Sequence, residues 1–131
     1  MVESKFRAKL SKTLKDAGCF VQTIENTVGR GVPDLVAMIR GGTLWLELKA
    51  GVTKTCYIRK EQYVWHLKAK KQDIPLLTIQ FVGDELKIYG LKNAVPVKDK
   101  VRLTEVLWSG TYRAFSEDPL DAIAASITAA Y

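Results

Sequence analysis

The stretch GVPDLVAMIRGGTLWLELKAG, residues 31–51, decides how this chain is read. Two short apolar runs, residues 35–39 and 44–48, flank Gly41-Gly42, a strong turn signal, so the stretch is expected to be a β-hairpin. It nevertheless carries Asp34, Glu47 and Lys49. With Gly41-Gly42 as a two-residue turn, Asp34 faces Lys49 and Val36 faces Glu47. Opposed residues share a side of the sheet, so both acids and the lysine project one way. Asp34 and Glu47 become diagonal neighbours, roughly 7–8 Å apart at the backbone. Leu35, Ala37, Ile39, Leu44, Leu46 and Leu48 fill the other face; a bulge would flip one strand.

Two carboxylates this close, on a face that a helix covers, are costly without compensation. Lys49 offsets one of them, and a divalent cation would offset both. Oxygen donors with no histidine or cysteine suit Mg²⁺ or Mn²⁺. A cation clamped by carboxylates beside a lysine is an arrangement for phosphodiester hydrolysis, because the ion polarises a phosphate and acidifies a water. The plainer alternative is an edge hairpin with a surface ion pair between Asp34 and Lys49.

Composition narrows the chemistry. At 131 residues and 47% apolar, the chain is expected to be a single globular domain, residues 1–131. No apolar run approaches the roughly 20 residues that span a bilayer, and the charged start MVESKFRAKL does not resemble a signal peptide. An intracellular protein is expected, in a bacterial cytoplasm or in that of the host if virus-encoded. Cys19 and Cys56 are too few for a disulfide framework and read as reduced structural thiols. His66 is the only histidine, which excludes a multi-histidine metal site. The net charge is +6, and its excess gathers in residues 1–18 and 54–71, whereas Glu117, Asp118 and Asp121 make the end acidic. A basic body suits a polyanion such as nucleic acid, or it is simply a pair of solvated helix faces.

Along the chain, Phe6, Leu10, Leu14 and Ala17 mark an amphipathic helix over 2–17 that Gly18 ends. Residues 19–24 read as a strand and 25–32 as a loop. After the hairpin come a loop over 51–57 and a helix over 58–71, with Gln62 a polar intruder on the stripe Ile58, Trp65 and Ala69. Strands over 74–82 and 85–89 follow. Residues 101–108 fit helix or strand, and 119–130 an alanine-rich helix. The order is helix, three strands, helix, strand, which makes an α/β fold with a mixed sheet.

Pro33-Asp34 followed by Glu47-Leu48-Lys49, on a strand–turn–strand after a helix and a strand, resembles the PD-(D/E)XK nuclease superfamily. Gly31-Val32-Pro33-Asp34-Leu35, Trp45 to Lys49, and Arg59-Lys60-Glu61-Gln62 opening a helix resemble its VRR-NUC branch, although the valine–arginine–arginine string is not present intact. The match covers about residues 1–90, leaving 91–131 as a C-terminal extension. The resemblance implies a restriction-endonuclease-like core of αβββαβ order. It implies a metal-dependent deoxyribonuclease acting on branched DNA such as four-way (Holliday) junctions or flaps, in repair or recombination, with a homodimer possible.

Carried over, Asp34 and Glu47 would be metal ligands, with the Leu48 backbone carbonyl and Glu3 in support. Lys49 would activate or orient the attacking water, and Gln62 would reach the site from the second helix. Glu3 and Gln62 equally suit ordinary helix-start roles. Arg30, Lys54, Arg59 and Lys60 would touch phosphates without reading sequence. The competing readings are a non-catalytic nucleic-acid-binding domain of the same fold and an interaction protein acting through its C-terminal segment. That segment is expected mostly to fold back on its own sheet, with an interface as the alternative.

Overall fold

A computed structural model of the protein describes residues 3–24, 31–39 and 41–131; Arg30, expected at the DNA, lies outside them. Helix α1 (Glu3–Asp16) forms where Phe6, Leu10 and Leu14 recur at every fourth position, and all three are fully buried. Gly18, at φ +98°, stops it. Its N–H bonds to the Lys15 carbonyl and that of Cys19 to Leu14, which satisfies two terminal carbonyls in a Schellman motif.

Strands β1 (Phe20–Thr23), β2 (Leu35–Ile39) and β3 (Gly42–Gly51) run antiparallel in succession. After β4 (Cys56–Arg59) and α2 (Lys60–Lys71), β5 (Leu76–Val82) returns parallel to β3, and β6 (Glu85–Tyr89) pairs antiparallel with β5. Then come β7 (Val95–Val97), β8 (Lys100–Leu103), β9 (Val106–Thr111), α3 (Tyr112–Glu117) and α4 (Pro119–Ala130). The main sheet is mixed, in the order β1-β2-β3-β5-β6-β9, and β4-β8-β7 form a second, three-stranded sheet.

The main sheet separates two unlike sides. On one, Leu35, Leu46, Leu77 and Ile79 meet α1, and Leu86 and Ile88 continue the same core beneath α3 and α4. On the other, α2 and the small sheet cover a row of polar side chains, with a smaller apolar cluster of Cys56, Ile58, Tyr89, Val101 and Leu103 beside it. No helix among the described residues is long and apolar enough to cross a membrane.

Three expectations need correction. The hairpin pairs Ile39 with Gly42, Val36 with Trp45 and Leu35 with Leu46, so Gly42 belongs to β3 and not to the turn. Asp34 therefore does not face Lys49, nor Val36 Glu47. The slip is two residues, so the face assignment survives; a slip of one would have inverted it. The second helix begins at Lys60, not Ile58, because Ile58 alternates with Cys56 as the buried side of β4. That strand also takes the end of the expected loop over 51–57. Of the two readings for residues 101–108, the structure takes strand, as β8 and β9 with a break between them. The C-terminal segment does fold back: β9 extends the main sheet beside β6, and Phe115, Ala122 and Ile123 enter the core.

Candidate active site

The polar face of β3 and the residues just before β2 form the site. One step beyond the last registered pair, Leu35 with Leu46, the continuing register brings Asp34 to Glu47. This is closer than the diagonal expected from the sequence. The Asp34 carboxylate accepts the Leu48 N–H at 2.8 Å, and its carbonyl accepts the Ile24 N–H at 2.9 Å, so β1 and β3 hold it from both sides. In an extended strand a residue's N–H and C=O point to the same edge, so the Leu48 carbonyl also faces Asp34. Pro33 and Gly31 just upstream are buried.

Gln62 links the other groups. Its Oε1 accepts from the Lys49 ammonium at 3.1 Å and from the Arg59 N–H at 2.7 Å, while its Nε2 donates to Glu47 Oε2 at 2.5 Å. Two donors on one side and a carboxylate on the other fix the orientation of the amide. The Arg59 contact caps α2; a guanidinium offers no acceptor, so the reciprocal half of a capping box is absent. Lys49 Nζ also lies 3.5 Å from Glu47 Oε2. The polar intruder on an apolar helix is thus the clamp between the acid and the base.

Behind Gln62 stands His66, the single histidine of the chain. It is 2% exposed; Nδ1 lies 2.7 Å from the Gln62 carbonyl and Nε2 lies 2.8 Å from Thr78 Oγ1. A carbonyl carries no proton, so Nδ1 donates and Nε2 accepts from the threonine hydroxyl. The ring is the neutral tautomer, and burial pushes its pKa down to about 4. Thr78 is the register partner of Glu47 across β3 and β5, which puts both on the same face of the sheet. Residues 62 and 66 lie one helical turn apart, a spacing that could have flagged the pair.

Glu47 is 2% exposed, and its pKa is pushed up to about 8, first by burial and then by Asp34, against the pull of Lys49. Glu3, exposed at the start of α1, adds a smaller push. Glu3, Lys49 and Tyr57 line one cavity of about 140 Å³. Lys54 on the loop before β4, Arg59 at the end of β4 and Lys60 at the start of α2 are exposed. Among the described residues, no three His, Cys, Asp or Glu side chains group closely enough to hold a metal ion by themselves. The donors that fit a hard cation are two carboxylates and one carbonyl: Asp34, Glu47 and Leu48. A buried acid beside a half-buried one, with a single nearby ammonium, is short of positive charge, which such a cation would supply.

No family model and no curated protein sequence matches this chain. Among solved structures it is similar to Hjc of Archaeoglobus fulgidus, a Holliday junction resolvase from an archaeal hyperthermophile, with a TM-score of 0.62 and 15% sequence identity. The match covers 79% of this chain and 84% of that one. The fold is Hjc-like. A central mixed sheet flanked by helices is common to the two, as the αβββαβ order implied. At 15% identity the likeness is one of fold. What the Hjc-like frame carries here is read from Asp34, Glu47, Lys49 and Gln62.

Proposed function

We propose that this chain is a divalent-metal-dependent DNA endonuclease selective for branched DNA, four-way junctions or flaps, of the kind that the VRR-NUC resemblance implies. The observation that carries it is the clamp of Gln62 on Glu47 and Lys49, with Asp34 opposite. A structural ion pair needs no buried glutamate beside a second acid, and a pure DNA binder gains nothing from acids facing phosphates.

Asp34, Glu47 and the Leu48 carbonyl would hold Mg²⁺ or Mn²⁺, with Glu3 in support. When bound, the ion supplies polarisation of the scissile phosphate and a more acidic water. Lys49 has three N–H donors, of which Gln62 and Glu47 occupy two among the described residues. The third is available to orient a water or to meet charge developing on a phosphate oxygen. Gln62 prevents the lysine and glutamate from collapsing into a closer pair, and so keeps both groups presented. A resolvase makes two symmetric cuts, so this function calls for a two-fold dimer.

The test is cleavage of labelled four-way junction, flap, single strand and linear duplex by the wild type and Glu47→Ala, with Mg²⁺, Mn²⁺ or chelator. Cleavage that needs both the metal and Glu47, with paired cuts in the junction, is expected. Binding of all substrates without cleavage would leave a DNA-binding domain of the same fold.

A further inference from the structure

We propose that the three-stranded sheet β4-β8-β7 is a platform for the phosphate backbone of DNA, with Arg59, Lys100 and Arg102 as its contacts; this rests on the nuclease reading above. The sheet has two unlike faces. Cys56, Ile58, Val101 and Leu103 are at most 3% exposed and pack on Tyr89, which seats the sheet on the body of the protein. The alternate positions must then face away. Register places Tyr57 beside Arg102 and Val95, and Arg59 beside Lys100 and Val97. That outer face therefore presents three cations and no acid.

Like charges directly opposite each other in a sheet are destabilising. Arg59 and Lys100 are such a pair, both exposed, and neither they nor Arg102 sits in an ion pair among the described residues. Lys100 instead lies over the Tyr57 ring, 4.1 Å from its centroid. A row of uncompensated cations that costs the fold something is accounted for by a polyanion that meets it.

The platform also adjoins the site. The Arg59 N–H is held by Gln62, and Tyr57 lines the same cavity as Lys49 and Glu3. A strand of DNA reaching Lys49 would continue onto β4 and β8. Two of the three strands come from residues beyond 90, so the C-terminal extension supplies most of this surface.

The experiment measures binding by fluorescence anisotropy, in chelator so that no cleavage intervenes, of labelled four-way junction and linear duplex over a salt series. The proteins are the wild type, Lys100→Ala/Arg102→Ala, the charge-keeping Lys100→Arg/Arg102→Lys, and Lys68→Ala/Lys71→Ala at the far end of α2. Thermal melts check that each is folded. The alanine pair on β8 is expected to weaken binding roughly ten-fold or more at about 0.1 M salt and to lower the log–log salt slope by about 2. The charge-keeping and α2 variants should follow the wild type, and cleavage by the β8 alanine variant should show a raised KM with kcat little changed. If that variant binds with the wild-type Kd and slope while the wild type cuts, the platform is wrong and the nuclease reading stands. If binding falls as described but the wild type cuts nothing, the platform stands and the nuclease reading fails. Absence of binding by the wild type overturns both.

Discussion

A glutamate that is 2% exposed beside a second acid burdens the fold that holds it, and the sign of that burden can be worked out. The pKa of Glu47 is raised on folding from 4.5 to about 8, so its contribution is most favourable below 4.5 and is lost as pH rises through 8. Glu47→Gln keeps an acceptor for Gln62 and removes the titration. In chelator, this variant should match the wild type near pH 4 and exceed it by a few kcal/mol at pH 8 and above; with Mg²⁺ restored, it should not cleave. Denaturant melts across that range check this; parallel curves would mean that Glu47 is not under strain. His66 runs the other way. Its pKa falls from 6.5 to about 4 on folding, so its stabilisation is complete above 6.5 and is lost as pH drops towards 4. His66→Gln should flatten the stability profile in that window, where the wild-type loss from this group is about 3 kcal/mol. The burial of His66 does not stand out in the sequence, since it comes from α2 lying over β5.

At the scale of elements, the site depends on how the loop into β2 meets the start of α2. Gly31 has φ +81°, and a Cβ there would overlap the Glu61 carbonyl and crowd the Gln62 N–H. The glycine thus lets two backbones touch, and it ties the segment carrying Asp34 to the helix carrying Gln62. Gly31→Ala is expected to cost about 3 kcal/mol or more, from the positive φ and the overlap together, and to reduce cleavage beyond what the lost stability explains. Gly18→Ala is the control: its φ is +98° but the space around it is open, so only about 1–2 kcal/mol should go, with cleavage intact. Thermal melts and rates on the two variants separate conformational strain from the close approach. The turn glycines were legible from sequence, whereas the role of Gly31 was not, because its partner lies thirty residues away in the chain.

At the scale of the molecule, residues beyond 90 are part of the fold, not an appendage. They place β9 on the edge of β6, Phe115, Ala122 and Ile123 in the main core, and Val101 and Leu103 over Tyr89. Phe115, Ile123, Val101 and Leu103 at about 2 kcal/mol each approach the whole stability of a small domain. A chain ending at Gly90 is therefore expected to lose its cooperative melt and to bind a dye that reports exposed apolar surface; a sigmoidal melt near the wild-type midpoint would contradict this. The sequence by itself determined the first helix, the hairpin, the face shared by Asp34, Glu47 and Lys49, and the mixed α/β class. Each follows from a local period of two or of about four residues, or from a turn signal. Only the tertiary structure decided the hairpin register, the strand at Ile58, the small sheet that presents Lys100 and Arg102, and the contacts of Gln62 and His66. Those depend on which distant segments become neighbours, and a two-residue slip or a strand of four leaves the local pattern almost unchanged.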